Sequence, residues 1–212
     1  MEDNQLSNNL AHGFGQSGSI FNKTPLGYVE NQMWSLANKM MVVLTLVVCV
    51  SQIALWFNDL PEQVPSHFDG NGQVDGHMNR VAFCSTMGLM NLVFLIGFPL
   101  LGLLTKYIPD SLVNMPNKDY WLAPNRRDNS MRTMTDFLTA IGWMTSWLFI
   151  GIFQMSALVA VKARETINPE FYLVMGIYLV VIVAMVVFLH FKFRIPTDDV
   201  STNATDSFGP AA

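Results

Sequence analysis

Four long apolar stretches divide this chain, with polar segments between them. Met40–Phe57, Val81–Thr105, Phe137–Val161 and Phe171–Phe191 contain no Asp, Glu, Lys or Arg. Each is near or above the roughly 18–20 residues that carry a helix across about 30 Å of hydrocarbon. None alternates polar and apolar positions as a barrel strand would, and in lipid every backbone N–H and C=O must be satisfied internally. The pattern therefore predicts an all-α membrane protein with four transmembrane helices at 40–57, 81–105, 137–161 and 171–191. A short loop joins helices 1 and 2, and a longer one joins helices 2 and 3.

The polar flanks give the expected orientation. Lys23 and Lys39 precede the first span, Lys106, Lys118, Arg126, Arg127 and Arg132 lie between the second and third, and Lys192 and Arg194 follow the fourth. The opposite side holds Arg80, Lys162 and Arg164. The positive-inside rule then places both termini and the Lys106–Asp136 loop in the cytoplasm. Residues 1–27 and 196–212, poor in apolar groups, read as disordered cytoplasmic tails. Residues 28–39, with Val29, Met33, Trp34, Leu36 and Ala37, suit an amphipathic segment at the membrane surface ahead of a four-helix domain over 40–195. No cleavable signal is expected, because polar residues precede the first apolar run and LWFND after it lacks a small-residue cleavage site.

The loop after the first span, LPEQVPSHFDGNGQVD over Leu60–Asp75, is the most structured of the polar segments by composition. Pro61 and Pro65 fix φ, and Asp69-Gly70-Asn71-Gly72 supplies tight-turn residues with positive φ, so a compact reversal is expected. His67, Asp69, Asp75 and His77 form an H-x-D…D-x-H pattern, which makes His67 and His77 candidate ligands for zinc or another transition ion. Hydrogen bonding is the more economical use of these groups, with His67 on turn backbone and the carboxylates capping the turn or the next helix. An EF-hand register starting at Asp69 fails, since Val74 falls where Gly is required and Arg80 where the bidentate Glu is required.

The second informative segment is VNMPNKDYWLAPNRR, Val113–Arg127. Asn114, Pro116 and Asn117 are turn-formers, Tyr120 and Trp121 suit headgroup depth, and Arg126, Arg127 and Arg132 can meet anionic phosphates. Tyr, Trp and Arg are also preferred anchors of protein interfaces, so the same surface is a candidate dock for a soluble partner. Asp128 or Ser130 is expected to cap the following helix, and Met131, Met134, Leu138 and Ile141 continue an apolar stripe into the bilayer.

Composition narrows the chemistry. The chain is 51% hydrophobic and 13% charged, against roughly 25% charged in a soluble domain. Gln52, Asn91 and Gln154 are the strongly polar residues within the spans and are expected to form interhelical hydrogen bonds. No intramembrane Asp, Glu, Lys or Arg marks an ion path, which disfavours a pump. Gly88, Gly97, Gly102, Gly142, Ser146 and Gly151 suit close helix approach, with Gly142-x-x-x-Ser146 a small-xxx-small pair, and Pro99 should bend the second helix. His190 reads as an interfacial residue. Cys49 and Cys84 differ in depth, so a disulfide is not expected, and no CxxC or Cys/His cluster supports a cofactor. No Ser/His/Asp arrangement, paired intramembrane carboxylates or HExxH points to an enzyme.

The loop LPEQVPSHFDGNGQVDG after the first span, followed by NMPNKDYWLAPNRR after the second, resembles the bacterial integral-membrane family called domain of unknown function 1648. The resemblance covers about Met40 to Arg127. That family includes the N-terminal unit of SdpI-type toxin-immunity proteins, which are said to sequester a transcriptional repressor at the membrane. Where relatives often carry a large aromatic and a Lys before the second helix, this chain reads His77-Met78-Asn79-Arg80. The resemblance implies a multi-pass protein of the bacterial cytoplasmic membrane. Its leading implied role is non-enzymatic toxin immunity or signal relay, from an outer loop that meets a peptide or toxin to a cytoplasmic regulator. Two other classes fit the residues: a structural or accessory subunit of a membrane complex, and a channel or transporter component. No cofactor and no nucleic-acid partner is expected.

Overall fold

The computed structural model describes residues 25–162, 166 and 169–195. The tails expected at 1–27 and 196–212 lie outside the described residues apart from 25–27, as do Lys23 and Arg164. The chain divides into two units, Met1–Ala37 and Asn38–Ala212. In the first, the described part is the opening turns of a helix, with Met33, Trp34 and Leu36 exposed.

Apolar periodicity builds the elements of the second unit. Helix α1, Pro25–Trp56, contains both the expected surface segment and the first apolar run. From Asn38 onward, Asn38, Thr45 and Cys49 are buried and Met41, Val48, Gln52 and Trp56 half-buried, a stripe at helical spacing, while most other positions are exposed. An antiparallel hairpin follows, β1 Gln63–Phe68 and β2 Val74–Asn79. Helix α2, Arg80–Leu92, then runs through a π-helical turn at Val93–Gly97 into α3, Phe98–Leu104. Beyond a 3-10 turn at Asp110–Leu112 and the short α4, Lys118–Trp121, come α5, Arg127–Val161, and α6, Pro169–Lys192. Among the described residues, four segments are long and apolar enough to cross a membrane: Gln32–Trp56, Arg80–Leu104, Arg127–Val161 and Phe171–Lys192.

Helix α5 is the hub. The second span packs antiparallel to it in one continuous register, from Phe83 on Phe153 (ring centroids 5.2 Å apart) through Asn91 beside Ser146 and Phe94 on Gly142 to Gly102 on Thr135. Gly102 and Gly142 are small because backbone passes there: an added Cβ would lie 2.8 Å from Thr135 Cα and 2.6 Å from the Phe94 carbonyl oxygen, respectively. Helix α1 runs parallel to α5, held by Asn38 Nδ2 on the Asp136 carbonyl at 3.0 Å and Gln52 Nε2 on the Ile150 carbonyl at 3.1 Å. Helix α6 is antiparallel and joins α5 through Thr145 and Tyr178 hydroxyls 2.9 Å apart.

Several expectations are corrected. The fold is mostly helical but not all-α, because the first loop is a β-hairpin. The loop expected over Lys106–Asp136 is shorter, since α5 starts at Arg127. Neither Asp128 nor Ser130 caps that helix: Arg126 holds the cap position without a side-chain bond, and the Ser130 hydroxyl donates to the Trp121 carbonyl at 2.9 Å. Gln52 and Gln154 do bridge helices, but Asn91 Nδ2 donates to Met87 in its own helix and its Oδ1 is buried without a partner. Pro99 cannot donate to Leu95 four residues earlier, and the helix widens into the π turn just before it. Cys49 and Cys84 are separate buried thiols.

Candidate functional site

The hairpin stands on the bundle through its first strand. Val64 is fully buried and joins Leu60, Phe83, Cys84, Phe153 and Ala157 in one apolar cluster; Pro65 is buried beside it and Pro61 is exposed at the strand entry. The strands pair Gln63 with Asn79, Val64 with Met78 and Pro65 with His77, then slip twice, pairing His67 with Gly76 and Phe68 with Val74. The ladder extends into α2, where the Arg80 amide donates to the Glu62 carbonyl at 2.9 Å. Arg80 also donates through Nη1 to the carbonyls of Phe57 (3.3 Å) and Leu60 (3.2 Å), and lies 5.1 Å from the Phe57 ring centroid. A cation thus caps the carbonyl end of α1, where the helix dipole favours positive charge. Asn79 Oδ1 caps α2 by accepting from the Ala82 amide at 2.8 Å.

At the tip, Asp69 organises the turn. Its Oδ1 accepts from the Gln73 amide at 2.8 Å and the Asn71 amide at 2.9 Å, while the Gly72 amide donates to its backbone carbonyl at 2.9 Å. These donors, the Gln73 amide first, hold the Asp69 carboxyl below the usual carboxylate range. Gly72 has φ 77°, a conformation that disfavours side chains. Gly76 is small for a different reason, since a Cβ there would sit 2.9 Å from His67 Cβ across the strands. His67 bonds the Asp75 carboxylate through Nδ1 rather than turn backbone, and both side chains are largely exposed. His77 lies opposite Pro65, so the two imidazoles are not brought together. Among the described residues, no three His, Cys, Asp or Glu side chains converge to hold a metal.

At the other end of the bundle, the Asn114–Arg127 motif folds back on the last helix. Asn117 adopts a left-handed conformation (φ 51°, ψ 42°) that Asn tolerates well, and its Nδ2 donates to the Phe193 carbonyl at 2.9 Å. Trp121 Nε1 donates to the same carbonyl at 2.8 Å, its ring edge-on to Phe193. Two donors spaced one helical turn apart therefore cap the carbonyl end of α6. Beneath them Val113, Met115, Leu122, Met131 and Phe193 form a second buried cluster.

Both guanidinium groups serve the fold. Arg126 covers the Tyr120 ring at 3.7 Å and donates through Nε to the Tyr120 carbonyl at 3.0 Å. Arg127 donates to Asp110 Oδ1 at 3.0 Å and to the carbonyls of Lys106 (3.2 Å) and Ile108 (3.3 Å). Asn114 is exposed and Pro116 half-buried. Sequence reasoning missed Asp110 and Phe193, whose roles depend on contacts between distant segments, gave Ser130 a capping role in place of its bond to Trp121, and missed Arg80, whose capping bonds follow from its place just after the second strand.

Residues 40–91 match the family model for a domain of unknown function, DUF1648. The match covers the first span from Met40, the hairpin and α2 as far as Asn91, about a quarter of the chain. No curated protein matches. No solved structure matches either.

Proposed function

We propose that this is a non-enzymatic, multi-pass protein of the bacterial cytoplasmic membrane that relays or neutralises an external signal. In this reading the hairpin faces outward and meets an extracytoplasmic peptide or toxin. The Asn114–Arg127 segment faces the cytoplasm and meets a soluble regulator. The orientation rests on the concentration of Lys and Arg at the end of the bundle opposite the hairpin.

The observation that carries the reading is a hairpin fixed at its foot, and at Gln73 by a bridge to Thr166, with polar side chains exposed around its tip. Val64 is fully buried and Arg80 ties both ends of the loop to α1, while His67, Gly70, Asn71, Gln73 and Asp75 are exposed. A preorganised hairpin loses little conformational freedom on binding, which favours recognition over a disordered loop of the same sequence. It also leads directly into α2, and from there through the π turn to the Asn114–Arg127 assembly. Residues 40–91 match DUF1648, and the immunity form of the proposal is taken from the resemblance of that family to SdpI-type proteins.

The test is survival. A strain lacking this gene should lose viability in spent medium from its parent, and the gene should restore growth. A chain with both His67→Ala and Asp75→Ala, present at parental abundance, should not. Equal survival of the deleted strain and its parent across spent media would sink the immunity role.

One observation favours a second reading, that of an accessory subunit. Helix α6 meets the bundle along a single seam, Phe171, Met175, Tyr178, Ile182, Met185 and Leu189, and most of its other described positions are apolar and exposed. A fixed stoichiometry with another membrane protein after gentle solubilisation would put that reading first.

A further inference from the structure

The segment leaving α3 has two faces. Ile108, Val113 and Met115 turn toward the cluster around Phe193, whereas Tyr107 and Leu112 are 83% and 70% exposed. These two lie beyond the second span, so the crossing of hydrocarbon does not account for them. They continue a surface that Leu100, Leu101, Leu103 and Leu104 present at the end of that span. Lys106 stands at the junction, exposed. Arg132 is exposed on α5, one turn from where Thr135 bonds the Gly102 carbonyl. Among the described residues neither Lys106 Nζ nor the Arg132 guanidinium has a hydrogen-bond or ion-pair partner. Arg126 and Arg127, the cations whose sequence motif suggests lipid contact, are turned onto the chain's own carbonyls.

We propose that Lys106–Leu112, with Arg132, is a ledge for anionic phospholipid. Tyr107 and Leu112 enter the boundary between acyl chains and headgroups, and Lys106 and Arg132 hold the phosphate. Continuity with the bilayer face of the second span selects lipid over a soluble protein. The two uncommitted cations select an anionic headgroup over a zwitterionic one, by about fivefold for each cation near the surface. The proposal rests on the four helices spanning the membrane and is independent of any ligand or regulator.

The experiment uses the full chain in lipid nanodiscs, with a bimane label on Leu112→Cys in a Cys49→Ala, Cys84→Ala background. Lipids spin-labelled near the headgroup end of the acyl chain should quench the label strongly and aqueous iodide weakly, with the reverse for a label on Asn125→Cys. Spin-labelled phosphatidylglycerol should quench at a several-fold lower mole fraction than the phosphatidylcholine analogue, and Lys106→Gln with Arg132→Gln should abolish that difference. Iodide quenching as strong as at Asn125, or equal quenching by the two lipids in the parent, overturns the proposal. So does a label exposed to iodide in nanodiscs but shielded in native membranes, which would assign the ledge to a protein. If the cysteine-free background unfolds, the parent and the double Gln chain with native cysteines are compared by thermal midpoint. A rise on adding phosphatidylglycerol that the Gln chain loses supports the ledge, and an equal rise or none refutes it. Because no ligand or regulator is present, failure here leaves the relay reading untouched.

Discussion

Gly142→Ala adds one methyl group where α5 packs closely against the second span. The new Cβ would lie 2.6 Å from the Phe94 carbonyl oxygen and 2.9 Å from Phe98 Cβ. An ordinary carbon–oxygen approach is about 3.3–3.6 Å, so α5 and the π turn must part by about 0.7 Å. The oxygen belongs to the backbone and has no rotamer into which to retreat. Overpacking of this kind costs about 3 kcal/mol at the upper end of its usual range, and the gain in helix propensity returns at most about 1 kcal/mol. A net loss of about 2 kcal/mol follows, or a thermal midpoint lower by about 4–8 °C for a chain of this size. Gly151→Ala is the matched control, since nothing lies within 4 Å of a Cβ built there. It should leave the midpoint unchanged or raise it by up to about 4 °C. Intrinsic fluorescence during thermal unfolding in detergent reads both. A Gly142→Ala chain as stable as the parent, or two glycine variants that fall together, would refute the close-packed register between the second span and α5.

Four further outcomes are expected. Gly72→Val should loosen the hairpin tip, because a β-branched residue disfavours the φ of 77° found there; faster proteolysis at the tip measures it. Asp69 titrates below its unfolded value, so its turn is stabilised above about pH 4 and loses that support as pH falls through the lower folded value; amide exchange in the hairpin should show this acid dependence in the parent and lose it in Asp69→Asn. Trp121→Phe keeps a ring against Phe193 but removes one of the two donors on its carbonyl, a loss of about 1 kcal/mol read as a lower thermal midpoint. For orientation, an impermeant thiol reagent applied to intact cells should label Ser66→Cys and not Asn125→Cys; the opposite pattern reverses the proposed sidedness.

The spans were legible because hydrocarbon excludes charge, and a run of apolar residues carries that constraint one position at a time. The hairpin was harder. Its tip, Asp69 to Gly72, announces a turn, but Pro65 and Gly76 interrupt the strands and two register slips break the period-two alternation that identifies a pair. Asp69 capping its own turn was readable, since the bonded amides lie within four residues. The His67 to Asp75 pairing was not, because strand register decides whether imidazole meets carboxylate or the second histidine. The same limit hides the cap on α6: Asn117 and Trp121 find Phe193 more than seventy residues away, and no local pattern records that distance.

That cap changes what a substitution in the basic pair can reveal. From sequence, Arg126 and Arg127 offer phosphate binding or a partner dock, and Arg→Lys would separate the two because Lys retains charge and loses the planar fork. In the folded chain Arg127 spreads three nitrogens over Asp110, Lys106 and Ile108, and Arg126 lies flat on Tyr120. An ammonium group cannot span the first set or stack as the second does. Arg127→Lys should therefore loosen the turn that carries Tyr107 and Leu112, and Arg126→Lys the stack beside Trp121, before any partner is present. Loss of a regulator in the Lys pair alone would then report a disturbed platform rather than a lost contact. The discriminating positions are exposed residues that the fold does not use, Lys118 and Asn125 among them. A regulator that docks on this segment should be weakened by charge reversal at Lys118 with the thermal midpoint unchanged, whereas a purely structural motif would leave association and stability alike unaltered.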